Sequence, residues 1–218
     1  MTGLAQQERA AFCDTLTRVG PDAPTLCEGW DARDLAAHLV LRERRPDAAA
    51  GVLVPVQVLT DHTQRVQEQY AEQPWDALVD MVREGPKGWS PIRVGSVDDA
   101  INLAEFYVHH EDVLRAEPGW TPQARRELDR DFAEALWARL RQVGQLFFRR
   151  SPVGLTLDAG GVGGRKQVKG ETREGAVTLC GDPGEILLFA FGRGSVAQVR
   201  IEGEPDAVAK FRETRFGL

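Results

Sequence analysis

The distribution of glycine constrains this chain most. Residues 151–218 hold 13 of its 22 glycines, although they form less than a third of the 218 residues. Glycine inside a helix costs about 1 kcal/mol relative to alanine, whereas short strands joined by tight turns depend on it. The chain therefore reads as a helical part, 1–150, followed by a small mixed part, 151–218, with the boundary near Ser151-Pro152.

The first part carries helical periodicity between clear breakers. Helices are expected over 3–19, from a cap at Asp31 to the stop at Pro46, from Val56 to Gln73, from Trp75 to Arg83, from Asp98 to Ala116 and from Pro122 to Arg149. Asp31 followed by Asp34 is a carboxylate variant of the capping box. Gly20–Gly29 and Gly85–Ser96 are loops, the second long enough to suggest a functional role. Amphipathic helices with short connections predict an antiparallel four-helix bundle. In the second part, strands are expected at Val153–Leu157, Lys166–Lys169, Ala176–Cys180 and Ala197–Glu202. Helices at Pro183–Gly192 and Pro205–Thr214 complete a βββαβα order, a small α+β domain. The run GGVGG at 160–164 lacks a following helix and a Lys-Ser/Thr pair, so it is a turn and not a phosphate loop.

Charge and cysteine content narrow the function. The net charge is −6, and all of the excess lies in residues 1–150, so nucleic acid is not the expected partner. Cys13, Cys27 and Cys180 are odd in number and lack CxxC spacing, so neither a disulfide framework nor a zinc ribbon is expected. No stretch approaches the 18 apolar residues that a membrane span needs, and no basic cluster precedes an apolar run at the N-terminus. The expectation is a cytoplasmic protein with reduced thiols, monomer or homodimer, binding neither nucleic acid nor membrane.

Chemistry concentrates on the histidines. Glu105 and His109 are four residues apart, so on a helix they stack on one face a turn apart. His38 shares the inward face of its helix with Leu35, Leu39 and Arg42. Two imidazoles and a carboxylate with an open fourth position form a recurrent catalytic zinc set, and bundles build such sites from facing helices. With four histidines and seventeen glutamates, chance readily supplies one such pair. Spacing alone therefore also allows a surface Glu–His pair and a core His38.

Three segments resemble a known family. LCEGWDARDLAAHLVLRERRPDA, residues 26–48, resembles the N-terminal motif of mycothiol-dependent maleylpyruvate isomerase-like proteins. These belong to the DinB-type metal-binding bundle superfamily, and the chain falls nearest a metal-binding subgroup. Trp30, Asp34 and His38 match that motif in order and spacing. NLAEFYVHHEDVLRA, residues 102–116, matches Glu-x-x-x-His-x-x-Asp, and VTLCGDPGEILLFAFGR, residues 177–193, is similar to a Gly-x-Pro-Gly-Glu…Gly-Arg helix of the appended domain. The resemblance implies a DinB-like bundle with His38, Glu105 and His109 as metal ligands and Arg193 facing the metal cleft. Between residues 46 and 97 no segment aligns on motif, and substrate specificity is expected to be set there.

Other candidates carry two readings each. Asp112 either orients the free ring nitrogen of His109 or is a solvated helix charge. Arg42 either reaches a substrate carboxylate or complements a helix dipole. Arg193 is otherwise a helix C-cap. Asp34 reads as a cap, His110 as a surface or packing histidine, and His62 as exposed. Trp30 and Trp89 either line a cleft or pack. No cysteine has an evident activating neighbour. The expected activity is that of a divalent-metal-dependent enzyme, with zinc the leading ion, in small-molecule metabolism or detoxification. It would activate a low-molecular-weight thiol, by resemblance mycothiol as co-substrate, for isomerisation of or transfer to an electrophilic small molecule. Such an enzyme would be a mycothiol-dependent isomerase or a thiol S-transferase, with Arg42, Arg193 and Asp112 as catalytic candidates. The alternatives are a non-catalytic metal- or ligand-binding protein and a metal-dependent hydrolase using Asp34 or Asp112 as base. A fourth protein ligand, from His110, Asp112 or Cys27, would mark a structural site.

Overall fold

The computed structural model describes residues 3–45, 57–86 and 96–217. Trp89 and most of the Gly85–Ser96 loop lie outside the described residues. Six long helices come first: α1 (Leu4–Val19), α2 (Ala32–Arg44), α3 (Gln57–Ala71), α4 (Trp75–Glu84), α5 (Ser96–Leu114) and α6 (Arg130–Phe147). Then follow β1 (Gly154–Asp158), β2 (Arg165–Lys169), β3 (Ala176–Cys180), α7 (Pro183–Ala190), β4 (Arg200–Gly203) and α8 (Pro205–Glu213). Among the described residues no helix is long and apolar enough to cross a membrane.

The chain divides into two compact units. One comprises residues 1–99 and 109–120, the other residues 100–108 and 121–218. The sheet begins where composition changes, whereas packing groups the preceding helix α6 with it.

In the first unit, α2 packs against α3 and α4, and α1 packs against α4. Every residue from Leu35 to Leu41 is buried, so α2 is covered on all sides and not along a single stripe. Leu41 meets Val66 and Tyr70 of α3. Arginines close the helix ends. Arg33 donates to the carbonyls of Ala71 and Gln73 at 2.8 and 2.9 Å, and Arg44 donates to those of Met81 and Gly85 at 2.8 and 3.1 Å. Arg9 bridges Glu43 and the Val82 carbonyl. The charge run at the end of α2 thus includes two side chains, Glu43 and Arg44, with structural work.

In the second unit the sheet order is β2-β1-β3-β4. β1 pairs antiparallel with β2 and parallel with β3, and β3 pairs antiparallel with β4. Leu155 and Leu157 of β1 pair in register with Val177 and Leu179 of β3, and all four are buried. This is the period-two burial that places one sheet face on a core. Helix α6 packs on β2 and α7. At Gly144 a side chain would meet Val168 at 2.9 Å, so glycine permits the close approach of helix and sheet. β4 is four residues long, shorter than the expected Ala197–Glu202 strand.

One expected helix is corrected. Residues 122–149 do not form one continuous helix: Pro122–Ala124 is a single tight turn and α6 starts only after Asp129. Asp129 caps it, its side chain accepting from the Phe132 N–H at 2.8 Å. Residues 121–131 expose almost every side chain, so no burial offsets the cost of making them helical.

Candidate metal centre

The turn before α2 is built by its own polar groups. Thr25 Oγ1 accepts from the Cys27 N–H at 3.1 Å and donates to the Trp30 carbonyl at 2.7 Å. Gly29 takes a φ of +78°, which favours glycine. The Leu26 N–H donates to the Asp112 carbonyl at 3.0 Å, pinning this turn to α5. The capping box forms as expected: Asp31 accepts from the Asp34 N–H at 3.0 Å, and Asp34 accepts from the Asp31 N–H at 3.4 Å. Burial pushes the Asp34 carboxyl up, opposed by the backbone hydrogen bond to Asp31.

Helix α5 carries four consecutive polar residues, His109 to Asp112, all buried. Unpaired buried charge costs several kcal/mol, so each of them needs partners. Glu111 takes Arg115 at 2.5 Å, and the guanidinium lies 5.1 Å from the Trp120 ring centre. His110 uses both ring nitrogens, Nδ1 on Glu8 and Nε2 on Thr15, each at 2.8 Å, and its ring lies 5.3 Å from that of Phe12. It is a packing histidine. His109 Nδ1 lies 3.0 Å from Asp112 Oδ2. An ionised carboxylate only accepts, so this partner assigns the ring proton to Nδ1 and makes Nε2 the nitrogen that carries the lone pair. Asp112 is fully buried, so it is no solvated helix charge.

His38, 8% exposed, lies beside His109. The two ring centroids are 5.6 Å apart and meet edge-on at 75°, and Trp30 covers His38 from 5.0 Å. Two imidazoles sharing a zinc ion at about 2 Å have centroids roughly 5 Å apart, so this spacing suits a common ion. Glu105 sits one turn before His109 on the same helix and half-exposed.

Sequence reasoning missed two things: the contact that Cys27, raised only as a candidate fourth ligand, makes with Asp112, and the place of Arg139 beside Glu105. Cys27 donates its thiol to Asp112 Oδ2 at 3.2 Å, and donor atoms of Cys27, His109 and Asp112 all lie within 4.8 Å of one another, a group suited to hold a metal ion. Nothing local signals this contact, which spans 85 residues. Arg139 is the second: burial pulls its guanidinium down while the nearby Glu105 carboxylate pushes it back up. Arg42 lies one turn beyond His38, half-buried. Arg193 lies just past the end of α7 in the second unit, where it donates to the Phe191 carbonyl at 2.5 Å while Gly192 adopts a φ of +85°. That is C-cap geometry. His62 is half-buried, not fully exposed as expected, and it has interactions of its own.

Fold and site together define a class: a helical protein with a buried imidazole–carboxylate pair beside a half-exposed thiol, and a small mixed-sheet tail. Two solved structures share this fold. One is the mycothiol-dependent maleylpyruvate isomerase, with TM-score 0.58 and 16% identity over 93% of this chain and 92% of that one. The other is a histidine-to-alanine mutant of that enzyme, with the same TM-score and coverage at 17% identity. No family model and no curated protein matches the sequence.

Proposed function

We propose that this chain is a divalent-metal-dependent enzyme that presents a low-molecular-weight thiol to an electrophilic small molecule. The observation that carries the proposal is the fixed His109 imidazole, its Nδ1 on the buried Asp112 and its ring 5.6 Å from that of His38. A hydrogen bond at one ring nitrogen is how proteins set the tautomer and basicity of a metal-binding histidine. His38 and His109 would hold the ion, zinc by the chemistry of the donors, with Glu105 as the carboxylate ligand. A bound divalent ion supplies a positive centre that lowers the pKa of a coordinated thiol or water.

The chain's own groups have separable tasks in this reading. Asp112 keeps the proton on His109 Nδ1. Trp30 shields one face of His38 from water. Arg42 is assigned to a carboxylate on the substrate. The thiol we propose is mycothiol, because two solved structures that share this fold are those of a mycothiol-dependent isomerase. The outcome is isomerisation through a transient adduct or a stable conjugate.

Elemental analysis of the purified full chain and of His38→Ala tests the ligand assignment. We expect close to one equivalent of metal in the first and loss in the second. Turnover of maleylpyruvate and a panel of unsaturated carboxylates in the presence of mycothiol then tests the activity: isomerisation changes the substrate and returns the thiol, whereas conjugation consumes it. Equal metal content in the two proteins refutes the ligand set, and thiol-dependent turnover that survives chelation refutes metal dependence.

A further inference from the structure

The Nδ1 side of the His109 ring carries a thiol, Cys27, that the proposal above leaves unused. Cys27 Sγ lies 3.2 Å from Asp112 Oδ2, and the same oxygen lies 3.0 Å from His109 Nδ1. Asp112 and His109 are buried, whereas Cys27 is half-exposed, so the group can be reached from solvent. The turn that carries Cys27 is tied to α5 by the Leu26–Asp112 backbone hydrogen bond and internally by Thr25. Sulfur and carboxylate are therefore held together before any ligand arrives.

Zinc binds thiolate at about 2.3 Å and nitrogen or oxygen at about 2.0–2.2 Å, so ligand atoms on one tetrahedral ion lie roughly 3.3–3.6 Å apart. The two short separations have to open by only a few tenths of an ångström. The sulfur–nitrogen pair, within 4.8 Å, has to close by no more than about 1.5 Å. Both short contacts now hold a proton between heavy atoms, and one cation among the three donors takes the place of both.

We propose that Cys27, Asp112 and His109 Nδ1 form a sulfur-containing position for a thiophilic divalent ion, zinc or cobalt, and that it excludes occupancy of the Nε2 side. A neutral imidazole has one lone pair. An ion at Nδ1 sends the ring proton to Nε2, and the Cys27 thiol proton leaves to solvent. The thiolate selects against magnesium and calcium, which prefer oxygen. This position needs neither His38 nor Glu105 and competes with the ligand set proposed above for the single lone pair of His109, so the two are exclusive and metal binding in His38→Ala decides between them.

Cobalt(II) titration of the full chain, of Cys27→Ser and of His38→Ala separates the two. We expect a near-ultraviolet sulfur-to-cobalt charge-transfer band in the wild type and in His38→Ala, and its loss in Cys27→Ser. Cobalt binding without that band, or a band that survives in Cys27→Ser, overturns the inference. Loss of all binding in His38→Ala also overturns it and favours the Nε2 ligand set. A chain that binds no cobalt refutes both readings. Should Cys27→Ser fail to fold, wild-type alkylation decides: zinc must slow iodoacetamide labelling of Cys27, read by peptide mass spectrometry, and EDTA must restore it. A rate that zinc leaves unchanged overturns the inference.

Discussion

Raising the pH should destabilise this protein through a thiol that takes no part in its chemistry. Cys13 lies on α1, fully buried, with its sulfur 3.9 Å from the Val79 carbonyl. Burial pushes the thiol up to about 11, while Arg83 and Arg9 draw it back and Asp14 and Asp80 push it further. In the unfolded chain the same thiol titrates near its usual value of 9.0. Between those values the unfolded state gives up a proton that the folded state keeps. The folded state binds more protons, so its stability falls as pH rises. The contribution is fully present below pH 9 and is lost as pH climbs through about 11. One proton changes the free energy by about 1.4 kcal/mol per pH unit, so the two-unit window carries about 3 kcal/mol. That is a large share of a total stability of roughly 5–15 kcal/mol. Urea unfolding under reducing conditions from pH 7 to 11, for the wild type and Cys13→Ala, isolates the effect, because other titrating groups cancel between the two proteins. The wild type should lose about 2 kcal/mol more than the variant by pH 11, where half of the folded chains still hold the proton. Parallel pH curves would show that the Cys13 thiol ionises as readily in the fold as out of it, and would refute the argument.

Two further perturbations follow from buried contacts. Glu111→Ala leaves the Arg115 guanidinium, 1% exposed, without the carboxylate that faces it at 2.5 Å. Stability should fall by about 3–5 kcal/mol, lowering Tm by roughly 10 °C or more in a chain of this size; a loss below about 1 kcal/mol in thermal denaturation would count against a buried pair. Gly163→Ala puts a methyl group 1.9 Å from Trp137 Cδ1, and the indole N–H donates to the Gly163 carbonyl at 3.0 Å. Displacing the indole should cost about 1–3 kcal/mol and shift the tryptophan near-ultraviolet dichroism, and an unchanged spectrum would mean the turn yields instead.

Local rules recovered what local chemistry decides. Asp31 and Asp34 announced the start of α2 because a capping box is written within four residues. The βββαβα order followed from alternation and turn glycines, with Ala176–Cys180 matched at both ends and the other strand ends displaced by up to three residues. Pro122 misled because proline suits the first turn of a helix, yet Asp129 is the residue that caps α6. In α2 the expected face was Leu35, His38, Leu39 and Arg42, but Ala36, Ala37 and Val40 are buried as well, because neighbours cover the helix on all sides. At the site, the His109–Asp112 hydrogen bond was legible from a spacing of three. The Glu8 and Thr15 contacts of His110 were not, being 102 and 95 residues distant in sequence. Only the packed chain shows which polar residues of HHED are fixed by distant partners.

The open edge of the sheet has a bearing on behaviour at high concentration. β2 reads RKQVK and lies at the end of the strand order, with β1 on one side only. An incoming strand from a second molecule would find unsatisfied backbone groups there, the usual seed of edge-to-edge aggregation. It would also find Arg165, Lys166 and Lys169 within five residues. Two copies meeting through this border would set like charges against each other, so mutual repulsion guards it from self-templating, most effectively in dilute salt.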